Sequence, residues 1–173
     1  KRQVQYQSNK KKGYLGEYVY KIFASESDNG NWSSVVPLSM NSSDFSFSCA
    51  YPAVNEQGNV MVFASDMPGG QGGWDLYVSR KQGDLWGKPE NLGSAINTPA
   101  NELSPFIAPS GKLYFASEGH KGFGGLDIFS AMPAGNSWNK VENMGKPINS
   151  IRNDFGFAIN PADETMMLIS TNR

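Results

Sequence analysis

Five carboxylates, Asp66, Asp75, Glu102, Asp127 and Asp154, have the type and spacing to do acid–base chemistry. Glycoside hydrolysis needs two such groups flanking a scissile bond, one protonated and one ionised. Two glycine-rich loops, Gly69-Gly70-Gln71-Gly72-Gly73-Trp74-Asp75 and Gly122-Phe123-Gly124-Gly125-Leu126-Asp127, superficially resemble calcium-binding nonapeptide repeats. That chemistry needs the motif stacked roughly every nine residues, so that successive turns share carboxylates. Here it returns after 52. No metal or other cofactor is therefore expected. The glycines are expected to supply positive φ in a tight connection, and Asp75 and Asp127 to tie their loops down through backbone amides. The carboxylates recur with the same period, whereas catalytic pairs are usually unique within a ring. Structural hydrogen bonding is thus their expected role.

Cys49 is the single cysteine and His120 the single histidine, which removes an intrachain disulfide and a His-rich zinc site. Gly83/Trp86 and Gly135/Trp138 invite comparison with the sialidase motif Ser-x-Asp-x-Gly-x-x-Trp, but Lys81 and Pro133 stand where its Asp should be. The stretch Asp28-Asn29-Gly30-Asn31-Trp32 is one residue short of it. Trp32, Trp86 and Trp138 fit better as wedges between sheets, each indole N–H finding a carbonyl. No Gly-x-Ser-x-Gly elbow, phosphate loop or dinucleotide fingerprint occurs. The glycine-rich loops join strand to strand, so they lack the helix dipole an anion site uses.

The elements that hold these residues follow from an internal repeat. Phe63-Ala64-Ser65 returns as Phe115-Ala116-Ser117, and Asp75-Leu76-Tyr77 as Asp127-Ile128-Phe129, each 52 residues on. Trp32, Trp86 and Trp138 are spaced by 54 and 52, with Leu38, Leu92 and Met144 following in step. Ile96-Asn97 returns as Ile148-Asn149. These Asn side chains are expected to cap the turn between repeats while the Ile plugs the gap.

Within one period the pattern gives four strands: Leu103 to Ala108, Lys112 to Ser117, Asp127 to Met132, and a fourth carrying Trp138. Aromatic and β-branched residues bounded by Gly, Pro and Asn suit a half-buried meander. A four-stranded antiparallel unit repeated every fifty or so residues is a β-propeller blade. The expected class is therefore all-β, with about three and a quarter blades: a blade part over 1–38, full blades over 48–92 and 101–144, and a blade part over 154–173. The first part is expected to contain strands at Arg2–Ser8, Glu17–Ser25 and Asn31–Leu38. The chain opens on Lys1 and both ends fall inside a blade, so a piece of a longer protein is expected. The 15 Lys and Arg against 16 Asp and Glu argue against nucleic acid, and no apolar window is long enough for a membrane span.

The run Ser65 to Tyr77, with Trp86, Asn91-Leu92-Gly93, Ile96-Asn97-Thr98 and Glu102 to Phe106, resembles the TolB-like propeller repeat of OmpA-family envelope proteins of Bacteroidota, including that of the type IX secretion system. The resemblance implies a six-bladed ring, often preceding a peptidoglycan-binding domain, in a periplasmic protein associated with the outer membrane. It implies a noncatalytic scaffold that docks a protein partner, with glycan or peptidoglycan contact through a neighbouring domain. The alternatives are a carbohydrate-binding or glycosidase-like propeller, or the gating propeller of a serine peptidase. The sequence departs from the repeat at Lys21, which replaces the Asp of the third strand, and in the loop Asn9 to Gly16, which lacks paired glycines. Met67, Gln71 and Trp74 in one loop, and His120, Lys121 and Phe123 in the next, place aromatic and polar groups on one rim. They are the candidate partner-binding residues.

Overall fold

The computed structural model describes residues 3–12, 18–160 and 163–173, with side chains over 18–160 and 166–173, and is all-β across them. The first sheet holds β1 (Gln3–Lys12), β2 (Tyr18–Asp28), β3 (Asn31–Trp32) and β4 (Val36–Pro37). The second holds β5 (Cys49–Val54), β6 (Val60–Ser65), β7 (Asp75–Gln82), β8 (Leu85–Trp86) and β9 (Glu90–Asn91). The third is a meander of β10 (Glu102–Ile107), β11 (Leu113–Ser117), β12 (Asp127–Ala134) and β13 (Ser137–Asn143). The fourth pairs β14 (Asp154–Asn160) with β15 (Asp163–Thr171). All pairings are antiparallel.

Burial shows how the sheets are stacked. Side chains alternate across a strand, so a sheet covered on one face only would show every second residue exposed. Instead β11 is buried along its whole length, and β6 from Met61 to Ser65. Both faces must therefore be covered. Ile22 and Met40 meet Cys49, Met61 and Phe63 between the first and second sheets. Val62, Leu76 and Val78 meet Leu113 and Phe115 between the second and third, and Tyr114 and Ile128 meet Phe157 between the third and fourth. The core is thus a series of seams in a propeller-like stack. Burying Phe63 or Phe115 completely contributes about 1.5–3 kcal/mol each. The repeat also shows in ring packing: the cross-strand pairs Phe63–Tyr77 and Phe115–Phe129 both stack at 6.1 Å.

Several local features differ from expectation. Arg2 and Glu17 lie outside the described residues, and β1 runs on to Lys12 where a loop was expected from Asn9. Lys21 cannot gather loop amides as a carboxylate would, and the ladder continues to Lys12 opposite Tyr18. The remainder of that loop, 13–16, is outside the described residues. The fourth strand is broken at 33–35 in the first sheet and at 87–89 in the second, where Ser25 and Ser79 hydroxyls donate to the Ser33 and Gly87 carbonyls. Trp138 is buried in the second seam, its indole N–H donating to Gly111 O at 2.8 Å, and Trp86 packs against the first seam. Trp32 is 49% exposed, because no described sheet lies against its face.

Each connection between sheets is locked by an asparagine. Asn97 Oδ1 accepts from Leu76 N–H at 2.8 Å while its Nδ2 donates to Leu76 O at 3.0 Å. Asn149 grips Ile128 in the same way at 2.7 and 2.8 Å. Asn41 does so to Ile22, at 2.7 Å in both bonds, although its spacing hid it in the sequence. Asn91 and Asn143 orient the amides of Asn97 and Asn149 at 2.9 Å. Asn97→Ala or Asn149→Ala leaves a buried strand N–H and C=O unbonded. Each is expected to lower stability by about 2–4 kcal/mol in denaturant titrations while the far-ultraviolet circular dichroism of the folded state is kept.

Candidate binding face

Chain alternation brings the loops 66–74 and 118–126 to the same end of the stack as the connections between sheets. Loop 66–74 lies on connection 98–101: Gly73 N–H donates to Ala100 O at 3.0 Å and Trp74 N–H to Asn101 Oδ1 at 2.9 Å. Trp74 O in turn accepts the Glu102 N–H at 2.7 Å. Leu126 repeats the pattern with Asn153 at 3.1 Å and Asp154 N–H at 2.7 Å. This closeness is what the paired glycines serve. A Cβ on Gly72 or Gly124 would sit inside van der Waals contact with the backbone of Pro99 or Arg152. Positive φ, the expected reason, holds in these two loops only for Gly69.

The aspartates do tie the loops down. Asp75 accepts the N–H groups of Gln71 and Gly72 and, at 2.8 Å, the Asn91 amide. Asp127 Oδ2 accepts from Phe123 and Gly124 N–H at 2.6 and 3.0 Å, while its buried Oδ1 has no partner among the described residues. Glu102, fully buried, accepts from Thr98 N–H and Oγ1 and from Ser117 Oγ at 2.7–2.8 Å. Asp154 accepts from Ser150 N–H and pairs with Arg173 at 3.2 Å, and Asp66 accepts from Ser48 N–H. Each of the five is thus engaged in local structure.

Cys49 occupies the strand position held by Glu102 and Asp154, opposite Ser65 as they are opposite Ser117 and Thr171. Burial pushes its thiol up to about 12, so the thiolate is inaccessible at neutral pH. Ellman's reagent should leave the folded protein unlabelled near pH 8 and react fully once it is unfolded. At Asp154 burial opposes ionisation, but hydrogen bonds from Thr171, Ser150 and Arg173 outweigh it and hold the carboxyl below its usual range. A folded pKa below the unfolded one, about 3.9, stabilises the fold above that pH, and the gain is lost as pH falls through the folded value. The melting-temperature gap between the chain and Asp154→Asn should be widest near neutrality and narrow below about pH 4.

The structure divides the candidate contact residues. Gln71, Lys121 and Phe123 point outward; Phe123 is 48% exposed, with Lys146 Nζ 5.7 Å from its ring. Met67 and His120 instead turn inward. Met67 packs on the first seam, and its carbonyl accepts the Tyr77 hydroxyl at 3.1 Å. His120 Nε2 lies 2.8 Å from Ile96 O, and its ring meets Phe115 and Phe129 at 5.9 and 5.1 Å. Trp74 is half-buried between the rings of Tyr20 and Tyr51, at 6.2 and 6.4 Å. These two tyrosines were missed, because the cluster they form is visible only in three dimensions. On the opposite face a cleft of about 220 Å³ between the second and third sheets is lined by Asn55, Arg80, Pro109 and Trp138 among others.

An all-β stack of antiparallel sheets with this face is propeller-like, and similarity to known proteins supports that class. No family model matches the chain. No curated protein matches it. Fourteen solved chains do match, among them the α-L-arabinofuranosidase of Lactobacillus brevis, at 16% identity and a TM-score of 0.53. The alignment covers 91% of this chain and 57% of that enzyme's chain. At that identity the likeness is one of fold.

Proposed function

We propose that this chain is part of a noncatalytic β-propeller of the bacterial cell envelope, six-bladed by its resemblance to TolB-like repeats, that docks a protein partner on its loop-bearing face. The blades would be 1–38, 48–92, 101–144 and 154–173. The observation that supports the noncatalytic reading is the engagement of all five carboxylates by amides, hydroxyls or Arg173, a role in holding the loops and turns together. Apolar side chains left open on the end sheets, Trp32 and Val36 on the first and Met166 and Leu168 on the last, are what further blades would cover. The resemblance supplies the periplasmic, outer-membrane-associated setting and a secretion or peptidoglycan-anchored complex as the partner. A carbohydrate-active reading is favoured by one observation, the fold likeness to an arabinofuranosidase.

The test is crosslinking in envelope extracts followed by assay of the purified chain. Lys121→Glu combined with Phe123→Ala should abolish capture of the partner without changing the melting temperature. No arabinofuranoside should be turned over. Hydrolysis that is lost in Glu102→Gln or Asp127→Asn variants that remain folded would replace the docking reading with the enzymatic one.

A further inference from the structure

In a repeat protein, residues needed for the fold recur, and a cluster that occurs once needs another reason. Among the described residues the ring group Tyr20, Tyr51 and Trp74 occurs once. Tyr20, Trp74 and Leu126 are equivalent, Tyr20 within the start of β2 and the others just before β7 and β12, each with its N–H bonded to Ser48, Asn101 or Asn153. Tyr51, Ser104 and Gly156 are equivalent too, each the left-handed residue of the bulge in the first strand of its sheet, with φ of 53, 49 and 66°. Serine or glycine therefore meets the need of the fold at that bulge. A bulky ring held at positive φ is instead a strained conformation, of the kind that clusters at binding sites.

The surroundings narrow the ligand. Tyr20 and Tyr51 are 36% and 47% exposed, and both meet Trp74 edge to face, with interplanar angles of 68 and 69°. Two exposed carboxylates connect to the backbone N–H groups of Tyr20 and Trp74. Asp66 is joined to Tyr20 through Ser48, and Glu118 to Trp74 through Asn101. Lys21, next to Tyr20 in the strand, is turned onto the Phe45 ring, its Nζ 3.8 Å from the ring centroid. Exposed rings with carboxylates in the same network disfavour a polyanion by like-charge repulsion. The cluster fits a polyhydroxylated neutral ligand, whose C–H face lies on the rings and whose hydroxyls donate to carboxylates.

We propose that Trp74, Tyr20 and Tyr51 form a stacking subsite for a neutral oligosaccharide on the loop-bearing face. The proposal rests on that face being a binding surface, but not on its protein partner. Affinity electrophoresis of the chain in gels containing hydroxyethylcellulose, xylan or glycol chitin tests it. The chain should be retarded by at least one of the three. Trp74→Ala and Tyr51→Gly should each weaken that retardation by roughly tenfold or more in dissociation constant. Tyr51→Gly suits the backbone conformation found at the equivalent Gly156, so loss of binding there cannot be assigned to unfolding. Absence of retardation in all three gels, or retardation unchanged by Tyr51→Gly, would overturn the proposal. So would binding confined to a trimethyllysine or proline-rich peptide. Partner capture that survives Tyr51→Gly but fails with the Lys121 and Phe123 changes would separate the two surfaces.

Discussion

A sheet of short strands that is apolar on both faces cannot stand alone in water, and here adjacent sheets cover one another's facing sides. The seams, more than any single sheet, are the units of stability. Phe63 and Phe115 occupy corresponding places in successive seams, and both are entirely removed from solvent. Trp138 is buried in its seam, whereas Trp32, of the same repeat position, has no described sheet to press against. The same side chain is a wedge or a surface residue according to whether a neighbouring sheet covers it.

The polar residues of the seams are placed with equal economy. Wherever a connection passes from one sheet to the next it must bury backbone groups, and each such group needs a partner. Asn41, Asn97 and Asn149 supply one donor and one acceptor apiece to a single strand residue. Glu102 and Asp154 then gather the hydroxyls and amides of the following turn, and Asp75 and Asp127 those of the glycine-rich loops. Carboxylates held in this way are structural ligands of the chain itself. The binding character of the face therefore comes from what lies outside this network, the exposed rings and the charges beside them.

Much of this was legible in the sequence because the period carries it. The strands, the seam tryptophans, the loop aspartates and two of the asparagines all followed from a shift of 52 residues. Asn41 escaped because its connection is two residues shorter than the next, which throws it out of register. The paired glycines were recognised but misattributed: close approach to Pro99 and Arg152 is a tertiary fact that composition does not record. The inward turn of His120 likewise depends on where the Ile96 carbonyl lies. Tyr51 shows the reverse case. Nothing marks it in the sequence until its register with Ser104 and Gly156 is known, and only then does an aromatic side chain stand out.

The bonds that close the seams span short stretches of chain. Asn97 reaches back 21 residues to Leu76, His120 lies 24 from Ile96, and Trp74 and Leu126 each lie 27 from the asparagine that receives their N–H. Contacts of such modest sequence separation require little loop closure, so one junction can form before the next has been made. During synthesis each sheet could thus settle on the one before it as it leaves the ribosome, and assembly would advance in step with translation.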